Sequence, residues 1–327
     1  MFRLMDLHVD VGTSLLSEKV FGGKGFLDAG PDAQFDLSKA LSGRYSWVVS
    51  AVFPGTRFVD PGSGKVRVTF GCSRCITLEQ VKAIVSVEKA FAGKVKVARR
   101  FEDLKAGMEG TLTLIIGLEG AYPLSEPADL IELSELGVKV LGLTWNVENG
   151  FAASCMSRKD YGLTGSGEEL VKLANKLGVV VDLAHASEKT MLDVLSVSRK
   201  PVLISHTAAK ALNDHPRNVS DEVLEELKRN GGVVGATLVP SFLRQDGKAT
   251  LEDFVRHVMH FVEVAGPDHV GVGTDFLGIP STPEGLENAS KVQAVLEALL
   301  KEGLSESEVE GIAWRNAYRV LEASLPQ

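Results

Sequence analysis

The sequence predicts an α/β chain folded as a (β/α)8 barrel of the TIM type. Eight short apolar runs rich in Val, Ile and Leu recur along it, most of them followed by a stretch of helical periodicity, and no glycine-rich nucleotide fingerprint follows the first run. Continuous apolar strands alternating with helices call for a parallel sheet covered on both faces, and eight such units close most economically as a barrel. A doubly wound open sheet competes, but the missing fingerprint weakens it.

The predicted strands are Phe2–His8, Trp47–Phe53, Leu112–Leu118, Val138–Trp145, Val179–His185, Pro201–His206, Gly232–Val239 and Val270–Phe276. Amphipathic segments between them read as helices over Leu78–Ala92, Ala128–Leu136, Gly167–Leu177, Lys189–Val197, Asp221–Asn230 and Leu251–Val264. Phe21–Asp36, rich in Gly and Asp, and Pro54–Gly71, rich in Gly and Pro, read as long loops after the first two strands. Two extra helices, Ser290–Lys301 and Ser305–Leu325, follow the last strand, and Ser305 with Glu308 forms a capping box at the start of the second. With no internal repeat and no low-complexity tract, residues 1–327 read as one domain.

Charge and composition narrow the function. The 35 Lys and Arg residues against 43 Asp and Glu leave a net charge of −8, with the basic residues scattered among acids, which argues against nucleic acid as a partner. Hydrophobic residues at 44% and charged residues at 24% place the chain among folded globular proteins rather than disordered ones. No run approaches the roughly 20 apolar residues of a membrane helix. Asp6 sits where a signal peptide would place its apolar core, so the expectation is a cytoplasmic protein with no membrane link. Three cysteines are too few for a disulfide scaffold; Cys72 and Cys75 read as loop cysteines that could bridge, and Cys155 stands alone.

The chemistry gathers at strand ends. The first strand finishes in His8-Val9-Asp10, whose alternate residues share a face in extended chain. Taken alone, His-x-Asp is also an ordinary polar strand end. The fifth and sixth predicted strands end in His185 and His206, so three of the seven histidines fall at the carboxyl ends of parallel strands, which in a barrel converge on one mouth. Glu119, flanked by glycines after the third strand, and Asp275, after the eighth, join them there. Three imidazoles with Asp10 and Glu119 suit zinc or a similar transition metal. Five such groups exceed what one catalytic zinc takes, and a bridging carboxylate makes two ions natural, about 3.5–4 Å apart. The expected reaction is hydrolysis, since metal-bound water can fall to a pKa of about 7, with Asp275 carrying its proton to the leaving group.

These residues, together with Leu143-Thr144-Trp145-Asn146, His215-Pro216-Arg217-Asn218 and Gly271-Val272-Gly273-Thr274-Asp275-Phe276, make the sequence resemble the membrane dipeptidase (renal dipeptidase-like) family of zinc metallopeptidases, within the amidohydrolase superfamily, over nearly its whole length. The resemblance implies that His8 and Asp10 bind one zinc, His185 and His206 the second, and that Glu119 bridges them. It implies that a metal-bridging hydroxide attacks a dipeptide and that Arg217 grips the substrate's free carboxylate, as a guanidinium does well. It also suggests a homodimer and tolerance of a D-residue at the carboxyl position. Zinc is the implied cofactor, although the same ligands accept manganese or cobalt.

Two positions depart from the family pattern. Mammalian members carry a histidine contacting the scissile carbonyl where this chain has Trp145, whose indole N–H can donate but cannot titrate. Trp145 and Asn146 are therefore the candidate substrate contacts at that position, with Asn146 or the metals taking over the lost donor. The second aspartate of the family's Asp-Phe-Asp-Gly is Leu277 here. Another activity of the same barrel, an N-acyl amino-acid deacylase or a lactonase, stays open beside dipeptide hydrolysis, as does a catalytically silent binding protein.

Overall fold

The computed structural model describes residues 1–21, 26, 30–59 and 66–327. Its strands are β1 (Leu4–Val9), β2 (Tyr45–Val52), β3 (Thr56–Val59), β4 (Val66–Thr69), β5 (Val95–Val97), β6 (Leu112–Leu118), β7 (Val138–Gly142), β8 (Val180–Asp182), β9 (Leu203–Thr207), β10 (Val233–Ala236) and β11 (Val270–Val272). Eight of them, β1, β2 and β6 to β11, run parallel in a ring. The ring closes where β2 pairs with β6 from Trp47 opposite Thr113 to Val52 opposite Leu118. This is the predicted barrel, and β5 adds a short pairing to the amino-terminal half of β6.

Two cores follow from the alternation of side chains along each strand. Met5, Leu7, Trp47, Val49, Ile115, Val140, Val180, Leu203 and Val233 form the inner one, and the last helix packs Ala317, Val320 and Leu321 against it. Trp47 stacks on Trp314 at 5.2 Å between ring centroids and donates its indole N–H to the Leu104 carbonyl at 2.8 Å. The larger core lies between the strands' outer faces and the helices, including Leu4, Val9, Val48, Val52, Leu114 and Ile116.

The expected strands over Val138–Trp145, Val179–His185 and Val270–Phe276 are shorter than the apolar runs that announced them, ending at Gly142, Asp182 and Val272. Three residues past the ends of two of them, His185 and Asp275 have φ of 66° and 64°, in the left-handed region. The segment Pro54–Gly71, expected as a loop, is a long insertion in which β3 and β4 pair antiparallel from Thr56 opposite Thr69 to Val59 opposite Val66. Residues 22–25 and 27–29 of the predicted loop Phe21–Asp36 lie outside the described residues. A helix over Val11–Phe21 that the sequence did not announce follows β1 directly.

The predicted helices form with bounds shifted by a few residues, and Asp221–Asn230 matches at both ends. The Ser305–Glu308 capping box is present, with the Ser305 hydroxyl accepting from the Glu308 N–H. Ser305–Leu325 is interrupted by a wide π turn at Gly311–Arg315. Cys72 and Cys75 are bridged, at the start of the helix Ser73–Ala90. Among the described residues no helix is long and apolar enough to cross a membrane.

Close backbone approach beside β9 leaves no room for a β-carbon on its neighbours. A Cβ on Gly235 would lie 2.0 Å from the Ser205 carbonyl oxygen, and one on Gly273 would lie 1.8 Å from it. Gly235→Ala and Gly273→Ala are expected to lower stability by about 1–3 kcal/mol, as overpacking does. Gly150→Ala, with nothing within 4 Å, should leave the urea midpoint unchanged. Equal midpoints for all three variants would contradict this packing.

Candidate metal centre

Every site residue expected from the sequence sits at or just beyond the carboxyl end of a barrel strand. His8 ends β1 with Asp10 after it; Glu119 follows β6; Trp145 and Asn146 follow β7; His185 follows β8; His206 lies in β9 with Arg217 in the next loop; Asp275 follows β11. A register shift in β1 against β2, between Asp6 and Val9, turns the first pair inward. Before the shift Met5 and Leu7 belong to the inner core, and after it Val9 belongs to the outer one, so the bulge puts His8 and Asp10 on the inner face. A second shift, between Ile204 and Thr207 of β9 against Val234 and Ala236 of β10, spans Ser205 and His206.

The groups converge closely. Glu119 Oε1 lies 3.1 Å from His185 Nε2 and 3.8 Å from His8 Nε2, between the two imidazoles. His8 Nε2 is 3.6 Å from Asp10 Oδ2, and His185 Nε2 is 2.9 Å from His206 Nε2. Two groups of three, His8 with Glu119 and His206, and His8 with Asp10 and Asp275, each gather ligand atoms within 4.8 Å of one another. His8 Nε2 and Asp10 Oδ1 are buried and have no hydrogen-bond partner. Buried polar atoms are rarely left so, and atoms of this nitrogen and oxygen set are what a divalent ion would satisfy. The residues present therefore fit one or more metal ions.

Electrostatics agree with the geometry. Burial alone would lower the pKa of His8, but the carboxylate of Asp10 beside it and the charges of Glu119 and Asp275 raise it from 6.5 to about 10. This pocket is strongly attractive to a cation. His185 and His206 are pushed well below the ordinary histidine value, chiefly by burial and further by the charges of Arg217 and His8. Both are neutral imidazoles, the form that binds metal.

Several supporting residues were not anticipated. Asp6 accepts from Thr274 Oγ1 at 2.6 Å, the Thr274 N–H at 2.9 Å and the His8 N–H at 3.1 Å, tying the end of β1 to the loop that carries Asp275. Burial raises its pKa to about 6 against those hydrogen bonds. Asp182 accepts from Ser205 Oγ at 2.5 Å, and Ser205 Oγ lies 2.9 Å from His206 Nδ1. Asp182 and Ser205 stood beside the histidines in their strand-end motifs, but sequence spacing gives no sign that they meet. His257 lies away from the mouth as a structural residue between the Ala209 N–H and the Leu243 carbonyl.

Arg217 is buried, and one N–H group, on Nη2, donates to the His206 carbonyl at 3.3 Å. Its Nε and Nη1 have no partner, and its guanidinium carbon stands 5.2 Å from the centre of the Phe242 ring. A buried cation with idle donors is costly unless an anion completes it. Trp145 is half-buried, its ring 6.0 Å from that of His185 and packed edge-on against Phe53 at 5.2 Å. Its backbone N–H donates to Tyr122 Oη at 2.9 Å. The indole thus forms a wall beside the imidazoles, and Asn146 Oδ1 lies 2.8 Å from His185 Nδ1.

Comparison with known proteins places the chain in a family. The family model described as membrane dipeptidase, peptidase family M19, matches residues 1–325. An uncharacterized dipeptidase of Schizosaccharomyces pombe is 37% identical over 254 residues, covering 75% of this chain and 61% of that protein. The dipeptidase tcpJ of Claviceps purpurea is 36% identical over 250 residues, covering 75% of this chain and 59% of that one. The chain thus spans about three-fifths of the length of these curated relatives. A metallopeptidase of Rhodobacter sphaeroides, solved with a phosphinate mimic of the dipeptide L-Ala-D-Ala, superposes with a TM-score of 0.87 at 25% identity over 99% of both chains. The solved metallopeptidase named dipeptidase AC superposes with a TM-score of 0.87 at 26% identity, covering 100% of this chain and 99% of that one. By its matched length and by these relatives, the chain belongs to the membrane dipeptidase family, peptidase family M19.

Proposed function

We propose that this chain is a dipeptidase that works with two zinc ions, cleaving the peptide bond of dipeptides that include those with a D-residue at the carboxyl end. The observation that carries the reading is the juxtaposition of the His8, Asp10, Glu119, His185 and His206 cluster with a buried guanidinium whose Nε and Nη1 are idle. Family membership and the dipeptidase names of the relatives support it, and the L-Ala-D-Ala mimic bound to the Rhodobacter sphaeroides relative supports the D-residue. The match over residues 1–325 supports one catalytic domain.

His8 and Asp10 would hold one ion, His185 and His206 the other, with Glu119 between them. Bound there, zinc supplies Lewis acidity and an activated water. Arg217 binds the terminal carboxylate through its idle donors and so fixes which bond faces the metals. Asp275, within ligand distance of His8 and Asp10, takes the proton from the water and delivers it to the leaving amine. Trp145 would offer an apolar wall to the substrate, and Asn146 would supply its amide N–H group as a donor.

Chelator-stripped protein is expected to be inactive on a panel of L,L and L,D dipeptides and to recover with about two equivalents of zinc, while N-acetylated analogues are not cleaved. No turnover of any dipeptide at full metal content would overturn the assignment. Preferential cleavage of the N-acetylated analogues would point instead to a deacylase. Arg217→Ala should lower kcat/KM for dipeptides by about 10²–10³ with metal content unchanged, the scale of losing a buried charged contact. An unaltered kcat/KM would remove Arg217 from the substrate site.

The raised pKa of His8 fixes a sign. In the metal-free protein the folded state holds this proton to about pH 10, whereas the unfolded chain releases it near 6.5. The resulting stability is complete below pH 6.5 and is lost as pH rises through about 10. The urea midpoint of metal-free protein should therefore fall across that window more steeply than in His8→Gln, and zinc should abolish the difference. Parallel profiles for the two proteins would refute it.

A further inference from the structure

We propose that Asn146 is a positioning residue that fixes His185 in the tautomer whose Nε2 faces the metals. The proposal rests on the two-metal reading above and is independent of which substrate is cleaved. Asn146 Oδ1 lies 2.8 Å from His185 Nδ1. The thiol of Cys155 reaches the same Oδ1 at 3.8 Å, and an amide oxygen has no proton to give. His185 Nδ1 must then carry the proton, which leaves its lone pair on Nε2, 3.1 Å from Glu119 Oε1.

The other metal-facing histidine reaches the same state by a different device. Ser205 gives its hydroxyl proton to Asp182, so its oxygen accepts from Nδ1–H of His206 and leaves Nε2 bare. The Nε2 atoms of the two rings stand 2.9 Å apart. His206 is thus backed by a carboxylate through a serine, and His185 by a neutral amide alone.

Asn146 also has a reason to be needed. His185 sits at φ 66°, a conformation that a residue with a β-carbon adopts only when its surroundings hold it there. The Cys155 N–H donates to the His185 carbonyl at 2.8 Å and anchors the backbone. Asn146 is the hydrogen-bond partner that fixes the ring about its last torsion. Residues in this position beyond a metal histidine set its tautomer and orientation.

The experiment compares wild type with N146D, N146A and N146L by competition with a chromophoric zinc chelator and by the visible spectrum of the cobalt-loaded protein. N146D keeps the acceptor and should retain wild-type zinc affinity and cobalt bands. N146A and N146L should lose about 10–100-fold in affinity at the weaker-held ion and change the cobalt bands, while thermal melts of the metal-free forms stay cooperative. N146L guards against a cavity in N146A. Wild-type affinity and spectrum in N146L would overturn the proposal, as would N146D behaving like N146L, because the acceptor would then not matter. A wild type that takes up no zinc would overturn the two-metal reading together with it, whereas normal uptake by every variant would overturn the Asn146 role alone.

Discussion

Three imidazoles and three carboxylates share the mouth of this barrel, and the charge they create there is the constraint on which the rest of the site depends. His8 stands among Asp10, Glu119 and Asp275 strongly enough to hold a proton to about pH 10 in spite of burial, while His185 and His206 are driven neutral. A pocket that charges one imidazole and neutralises two others is not yet a metal site. It becomes one when a cation replaces the proton, since the same carboxylates then meet positive charge and the neutral rings offer lone pairs. Arg217 complements this from the other side: its charge opposes protonation of both neutral histidines, and its idle donors await an anion.

The fold accommodates this pocket through local departures from barrel regularity. A regular β1 would send His8 and Asp10 to the helix-facing side, and the shift between Asp6 and Val9 prevents it. A comparable shift in β9 spans Ser205 and His206, and His185 and Asp275 take left-handed backbones just past the ends of their strands. Strain of this kind persists only where the surroundings over-determine it. Here Asp6 fastens both the His8 and Thr274 backbones, Asp182 fastens Ser205, and Gly235 and Gly273 let neighbouring chain approach the Ser205 carbonyl. The packed inner core beneath, from Met5 to Leu321, gives these bonds a rigid floor.

Much of this was legible in the sequence because parallel strands are buried on both faces. Their apolar runs end abruptly, so His8, Glu119, His185, His206 and Asp275 mark the strand ends as polar residues where hydrophobicity stops. What stayed hidden depends on contacts between distant segments. Ser205 meets Asp182 across 23 positions, and Thr274 meets Asp6 across 268. The bulges have no sequence signature without a partner strand to register against. β5 is three residues with Lys96 at its centre, too short and too polar to stand out, and Val11–Phe21 lacks the apolar stripe by which helices are read. The β3 and β4 hairpin was masked by the Gly and Pro residues around it, although Thr56–Val59 and Val66–Thr69 are rich in strand-favouring residues.

Trp145 shows how the metal-facing and substrate-facing halves of such a site can vary separately. Its ring belongs to a cluster with Phe53, Phe70 and Tyr122, drawn from the ends of β2, β4 and β6, and Phe70 stacks on Tyr122 at 4.0 Å. That cluster makes no hydrogen bond to the imidazoles, so an indole there leaves the proposed ligand set intact. On the proposed reading its effect would fall on the substrate side of that set, where it presents apolar surface and at most one donor. The neighbouring residue, Asn146, has its carbonyl committed to His185 and its amino group not so committed. On that reading Asn146 would keep the metal geometry while Trp145 sets the surface that meets the substrate.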